Sequence, residues 1–239
     1  MKVEVCYSPD FLFQHELEGK IVVVADIFRA TSCMVTAFAH GADAIIPVAK
    51  IEECKKLQSE GLPAAAERDG MKVEGFDLDN SPFSYMAQAI ASKTIAVTTT
   101  NGTQAIVKST NAHEIVIGSF LNINTVAEHL IHSNRDVILL CAGWKGHFNI
   151  EDTLFAGALI DILNEKCQIE QDAAWASLTI YQSVKNNMFE FVKKSAHVKR
   201  LAKLNIHKDI EFCLTFDKYN VLPIYNNGKI ENVKSFATY

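Results

Sequence analysis

The 239-residue chain has six cysteines but no Cys-x-x-C pair, only 11 glycines and five prolines, and no basic run longer than Lys193-Lys194. Each shortage excludes something. Scattered thiols (Cys6, Cys33, Cys54, Cys141, Cys167, Cys213) argue against a disulfide framework or a zinc knuckle, and most of them read as buried thiols. The low Gly and Pro content argues against low complexity. A net charge of −5 without basic clusters argues against a nucleic-acid or anionic-membrane surface. No stretch approaches the ~18–20 uninterrupted apolar residues of a membrane span. Because Met1-Lys2-Val3-Glu4-Val5 is unlike a secretory signal, the expected location is the cytoplasm.

Standard catalytic signatures are missing as well. Neither Gly-x-x-x-x-Gly-Lys-Ser/Thr nor Gly-x-Gly-x-x-Gly occurs, and Gly143-Trp-Lys-Gly146 is too short for either, which disfavours nucleotide kinases and dinucleotide dehydrogenases. No Gly-x-Ser-x-Gly elbow is present. Cys141 has His147 where a cysteine-phosphatase loop needs arginine, and Asp26-Ile-Phe is not Asp-x-Asp. His15-Glu-Leu-Glu-Gly19 lacks the second histidine of a zinc helix.

What is there is a 49% hydrophobic chain, sufficient for one large core. Short β-branched runs at 2–7, 20–25, 44–48, 63–66, 94–98, 114–117 and 136–140 alternate with helical patterns at 30–40, 51–60, 82–92, 103–109, 124–132 and 151–165. Runs such as Ile21-Val22-Val23-Val24 and Val137-Ile138-Leu139-Leu140 are apolar without alternation, as in strands covered on both faces. The expected fold is α/β, three layers with a mostly parallel central sheet. Residues 172–204 read as a helical elaboration, followed by 212–214 and 221–225 returning to the sheet or its edge. With no Pro/Gly/Ser-rich linker, residues 1–239 are expected to form one domain, the sheet portion in 1–166 and the elaboration in 167–239.

Polar clusters follow the strand runs. Asp26, Arg29, Thr31 and Ser32 follow the second; Glu67, Arg68 and Gly70 follow the fourth; Thr98-Thr-Thr-Asn-Gly-Thr103 closes the fifth. Gly143 and then Glu151-Asp152 come after the seventh. In a parallel sheet these clusters share the carboxyl edge, where ligands of open α/β folds bind. Asp26, Glu67, Glu151 and Asp152 are hard oxygen ligands suited to Mg²⁺. Arginine is scarce, four against a lysine-rich remainder, and Arg29 and Arg68 sit close to acids, where their forks could clamp a tetrahedral oxyanion. The turn holding Thr99, Thr100, Asn101, Gly102 and Thr103 offers hydroxyls and backbone N–H groups to an anion. Helix capping alone accounts for Thr31, Thr103 or Asp152. It does not account for two acid–arginine pairs at buried strand ends. The expected partner is a small anionic phosphate or sulfonate substrate, and a homodimer is a possible assembly.

Asp26-Ile-Phe-Arg-Ala-Thr-Ser32, Ala66-Glu-Arg-Asp-Gly70, Phe76-Asp-Leu-Asp-Asn-Ser-Pro82, Thr98-Thr-Thr-Asn-Gly-Thr103, Cys141-Ala-Gly143 and Glu151-Asp152 together resemble the 2-phosphosulfolactate phosphatase family. The match in order and spacing spans most of residues 1–160; after 170 it is loose. Phe28, Ala66 and Asp79 stand where the family tends to have Leu, Gly and Gly. The resemblance implies a Mg²⁺-dependent acid phosphatase that converts 2-phospho-3-sulfolactate to sulfolactate and phosphate, a step toward coenzyme M in methanogens. It also implies substrate contacts from Asn80, Ser81 and Gly143. Asp26, Arg29 and Glu67 are the expected catalytic set, and Arg68 with Asn101 could read the sulfonate or carboxylate end. Attack by water and formation of a phosphoaspartate on Asp26 both stay open. So do a different multiply anionic phosphate ester and a non-catalytic anion-binding role.

Overall fold

The computed structural model of the protein describes residues 1–201 and 206–233. Among these, eleven strands form one sheet: β1 (Lys2–Cys6), β2 (Ile21–Ala25), β3 (Ala44–Pro47), β4 (Ala64–Arg68), β5 (Met71–Lys72), β6 (Thr94–Thr98), β7 (Glu114–Gly118), β8 (Val137–Cys141), β9 (Gln168–Ile169), β10 (Leu222–Asn226) and β11 (Lys229–Val233). Their order is β5-β4-β6-β3-β11-β10-β7-β2-β8-β1-β9. The helices among these residues are α1 (Ala30–Ala39), α2 (Ile51–Ser59), α3 (Gly102–Lys108), α4 (Ile123–Ser133), α5 (Ile150–Leu163), α6 (Asp172–Val184), α7 (Met188–Val192), α8 (Ala196–Leu201) and α9 (His207–Cys213). None is long and apolar enough to cross a membrane.

The non-alternating runs do what their composition demands. Along β2 every residue is buried: Ile21, Val23 and Ala25 face one apolar core with residues of α4, α5 and α7, whereas Val22 and Val24 face another with residues of α1 and α3. Val137 and Leu139 of β8 join the first core, Ile138 and Leu140 the second. That partition is the three-layer α/β/α arrangement the sequence predicts.

The chain returns to the sheet through 222–226, as expected, but to its interior and not its edge. Cys213 ends α9, and the returning strand β10 pairs with β11 as a hairpin in the sheet interior, antiparallel to β7 on one side and β3 on the other. The sheet therefore consists of two parallel blocks, β4-β6-β3 and β7-β2-β8-β1-β9, joined by an antiparallel hairpin, with the short β5 antiparallel to β4 at one edge. Along the ladder the two blocks run in opposite senses. Right-handed strand twist of roughly 20–25° per step accumulates past a right angle between β6 and β2. The coiling brings their carboxyl ends back together: a Cβ on Gly102, after β6, would lie 2.7 Å from the Ala30 Cβ, after β2.

One other expectation, a helix over 82–92, needs correction, while 172–201 is helical as expected. Residues 82–92 form two short 3₁₀ turns, Pro82–Met86 and Gln88–Ile90, and not a continuous helix. The Asp79 carboxylate captures the Ser81 N–H and Ser84 hydroxyl at the start, extended Ala87 breaks the middle, and Ser92 ends the run at φ 57°. The stretch 172–204 breaks into α6, α7 and α8; its last positions, 202–204, lie outside the described residues.

Candidate active site

Asp26 emerges from β2 and turns straight into α1. Thr31 fixes that turn: its hydroxyl accepts the Asp26 N–H and donates to the Asp26 carbonyl, both at 3.0 Å. The Asp26 carboxylate stays at the start of the helix, with the Ala30 N–H 3.4 Å from Oδ1. Burial, with Glu67 nearby, pushes the Asp26 carboxyl up to about 7, and His197 pulls it partly back. Gly102 is required beside it, because an added Cβ would lie 2.9 Å from Asp26 Oδ2.

Glu67, at the end of β4, is held by three donors. Its carboxylate accepts the Gly70 N–H, the Thr100 hydroxyl at 3.2 Å and the Thr100 N–H at 3.1 Å. The threonine run thus serves largely to build the turn. Thr100 fixes Glu67, while Thr99 and Thr103 lock each other through reciprocal bonds, Thr103 N–H to Thr99 Oγ1 at 3.2 Å and Thr103 Oγ1–H to the Thr99 carbonyl at 3.1 Å. Asn101 accepts the Lys145 N–H at 3.2 Å and reaches the shared cavity.

The two expected arginines part company. Arg29 is buried, its guanidinium paired with Asp209 of α9 and donating to the Gly70 carbonyl at 2.9 Å. Arg68 turns away and spends its fork on the Glu67 carbonyl, the Thr98 hydroxyl at 3.0 Å and the Ala49 carbonyl. Residues adjacent on a strand face opposite sides.

Glu151 and Asp152 open α5 and are buried. Asp152 accepts the Ile27 N–H at 2.9 Å and the Gly143 N–H at 3.1 Å, tying the loop after β2 to the loop after β8. Burial, reinforced by Glu151 and Asp26, pushes its carboxyl well above the ordinary range. Gly143 has φ +60°, and a Cβ there would lie 2.4 Å from the His147 carbonyl oxygen, so only glycine closes this loop. Glu151 pairs through Oε1 with His197 Nδ1, leaving Oε2 buried and unpartnered.

Asp26, Arg29, Glu67, Asn80 and Asn101 meet around one polar cavity of about 20 Å³, room for little more than one water-sized body. Thr31, Arg68, Ser81, Thr99, Thr100, Gly102, Thr103, Gly143, Glu151 and Asp152 do not line it; several of them shape its walls. Gly70, grouped with Glu67 by the sequence, also lines it, and sequence reasoning missed Phe28, Trp144, His197, Arg200 and Leu201, which complete the lining. Of these, His197, Arg200 and Leu201 come from α8, which closes the cavity from the C-terminal elaboration. The one available signal was the scarcity of arginine, since Arg200 is one of only four.

A buried set of acids and guanidinium groups where strand carboxyl ends converge defines an α/β enzyme for a small anionic ligand. The sequence profile of 2-phosphosulpholactate phosphatase matches residues 6–228. The chain is 39% identical to the probable 2-phosphosulfolactate phosphatase of Caldanaerobacter subterraneus subsp. tengcongensis over 226 residues, 92% of this chain and 94% of that protein. It is 44% identical to the protein of the same name from Thermotoga petrophila over 212 residues, 89% of this chain and 92% of that one. With the like-named Clostridium acetobutylicum protein it shares 37% identity over 235 residues, 96% of this chain and 100% of that one. The chain belongs to the 2-phosphosulfolactate phosphatase family, a family of phosphoric monoester hydrolases.

Proposed function

We propose that the chain hydrolyses 2-phosphosulfolactate to 3-sulfolactate and inorganic phosphate, with Mg²⁺ as its cofactor. The observation that carries this reading is that Asp26 and Glu67 line one buried cavity together with the Arg29 guanidinium. Two carboxylates in one desolvated space repel each other, and Asp26 carries the strain as a raised pKa. A divalent cation would relieve that repulsion and leave positive charge to face a doubly negative phosphoryl group.

Among the described residues no three His, Cys, Asp or Glu side chains form a ready-made metal cluster. Mg²⁺ asks for less, keeping several waters and taking one or two carboxylates from the protein. Asp26 and Glu67 are the ligands we propose, because both reach the cavity, whereas both Asp152 oxygens already accept backbone N–H groups. Glu151 Oε2 supplies further negative charge behind them. When bound, Mg²⁺ would screen the phosphoryl oxygens and lower the pKa of a coordinated water.

The rest is positioning by the chain itself. Arg29, fixed by Asp209, holds positive charge toward the oxygens that gain charge during transfer. Asn80 and Asn101 present amides to the same oxygens. Water adds to phosphorus, the ester oxygen leaves, and the proton lost by water ends on that oxygen, giving alcohol and phosphate.

The test is phosphate release from 2-phosphosulfolactate by the purified chain. Release with Mg²⁺ and its loss in EDTA are expected. Release that survives chelation removes the metal from the reading, and no release with Mg²⁺ present overturns the phosphatase assignment.

A further inference from the structure

Arg200 lines the cavity with a buried guanidinium nitrogen left unpaired. It projects from α8, and its guanidinium carbon lies 3.8 Å above the centroid of the Trp144 ring. Its Nη2 is buried without a hydrogen-bond partner. The other arginines are accounted for: Arg29 by Asp209 and Gly70, Arg68 by Thr98 and backbone carbonyls, and Arg135 far away at the Gly19 carbonyl. Each neighbouring acid that could neutralise Arg200 has a basic partner of its own and neither bonds it, although Glu151 Oε2 stays unpartnered. Asp69 is bonded to Lys145 Nζ at 2.7 Å, and Glu151 to His197. Leaving a charged donor buried and unpaired costs free energy. Stacking on Trp144 holds it in place, a cation–π contact that orients the fork without consuming its N–H groups.

A substrate with one phosphate would use the Asp26–Glu67–Arg29 end and leave this donor idle. Phosphosulfolactate carries two more anions, a carboxylate and a sulfonate. Resting on the phosphatase reading above, we propose that Arg200, on its Trp144 platform, is the specificity-determining residue that binds the substrate's sulfonate. This displaces Arg68 from the role the sequence suggests for it, since the Arg68 fork is spent on the turn after β4.

Three substrates separate the possibilities: 2-phosphosulfolactate, 2-phospholactate, which lacks the sulfonate, and 2-phosphooxyethanesulfonate, which lacks the carboxylate. The wild-type chain should prefer both sulfonates over phospholactate in kcat/KM. In Arg200→Gln, that preference should collapse by roughly 10- to 100-fold, the range set by loss of a charged hydrogen bond. The loss should fall mainly on KM. Arg200→Lys should recover part of it, since an ammonium keeps the charge and loses the fork. An equal loss on all three substrates, or lost discrimination against 2-phosphooxyethanesulfonate instead, overturns the proposal. A second readout does not depend on turnover: 3-sulfolactate should raise the Tm of the wild type and not of Arg200→Gln. If wild type turns over none of the esters, the phosphatase reading falls, and the 3-sulfolactate shift still decides Arg200. An equal shift in both proteins overturns the assignment.

Discussion

Arg29 and Asp209 form a buried ion pair between residues 180 positions apart, joining the turn after β2 to α9 near the end of the chain. Both side chains are less than a tenth exposed. The pair is what lets the elaboration, absent from the recognisable motifs, govern the orientation of a residue inside them. Removing one partner leaves the other charged and buried, a change that typically costs ~3–5 kcal/mol. Asp209→Ala is therefore expected to lower unfolding stability by about that amount in urea titrations. Asp209→Asn, which keeps one acceptor, should lose less. Equal stability in all three proteins would mean that Arg29 finds its support elsewhere.

The raised Asp26 carboxyl makes stability depend on pH in a definite direction. Its ordinary value is 3.8 and its value in the fold is about 7. Between those values the folded state binds more protons than the unfolded chain, so stability falls as pH rises. The penalty is absent below the lower value and complete above the upper one. In EDTA, the Tm of the wild type should be higher at pH 5 than at pH 8. Asp26→Asn, which carries no titrating group, should show a flatter profile and a higher Tm than wild type at pH 8. The slope will not vanish, because Asp152 is raised by the same burial. If Mg²⁺ binds here, adding it should restore stability chiefly at pH 8.

Gly102 tests whether the meeting of β6 with β2 is as tight as it looks. A Cβ there would lie 2.7 Å from Ala30 Cβ, 2.9 Å from Asp26 Oδ2 and 3.3 Å from Thr99 Oγ1. All three neighbours belong to elements that hold the cavity, and none is the end of a long flexible side chain. Gly102→Ala should cost ~1–3 kcal/mol by overpacking and displace the Asp26 carboxylate. Phosphate release is expected to fall further than stability alone explains, measured as kcat at a temperature well below the Tm. Unchanged turnover would show that the two loops can move apart.

Much of the site is legible from the residues that follow apolar runs. Asp26, Glu67 and Asn101 each sit just beyond a run that reads as a buried strand, and the cavity collects all three. The Glu67–Arg68 pair was legible only in part: strand alternation allows just one of two neighbours to face the cavity, but not which. His197 and Arg200 were illegible because α8 is six residues long and carries Lys199 beside Arg200, the pattern of a solvated charged face. Asp209 hides in the same way within α9, and nothing in sequence spacing predicts a partner 180 positions back. The fold was readable in its parallel blocks, where β2 and β8 are apolar throughout. It was not readable in β11, where Ile230 alone is buried and Lys229 and Glu231 are exposed.

That hairpin supplies the last prediction. Strands β10 and β11 are among the final elements of the chain, and a late, partly charged hairpin usually marks a sheet edge, where exchange with solvent is fast. Here it bridges β7 and β3, with Ile224 opposite Val116 on one side and Ile230 opposite Ile45 on the other. Among the described strands, no other pairing joins the two parallel blocks. The amides of 222–226 bonded into the sheet should therefore exchange as slowly as those of β2, close to the limit set by global unfolding. Ile230→Ala, which removes a fully buried side chain between the blocks, should cost ~2–5 kcal/mol and keep unfolding two-state. Rapid exchange of these amides in an otherwise protected sheet would place the hairpin outside the cooperative core, and the two blocks would then have to be held together by the apolar core they share on the α1 face and by loop contacts such as Arg29 to the Gly70 carbonyl.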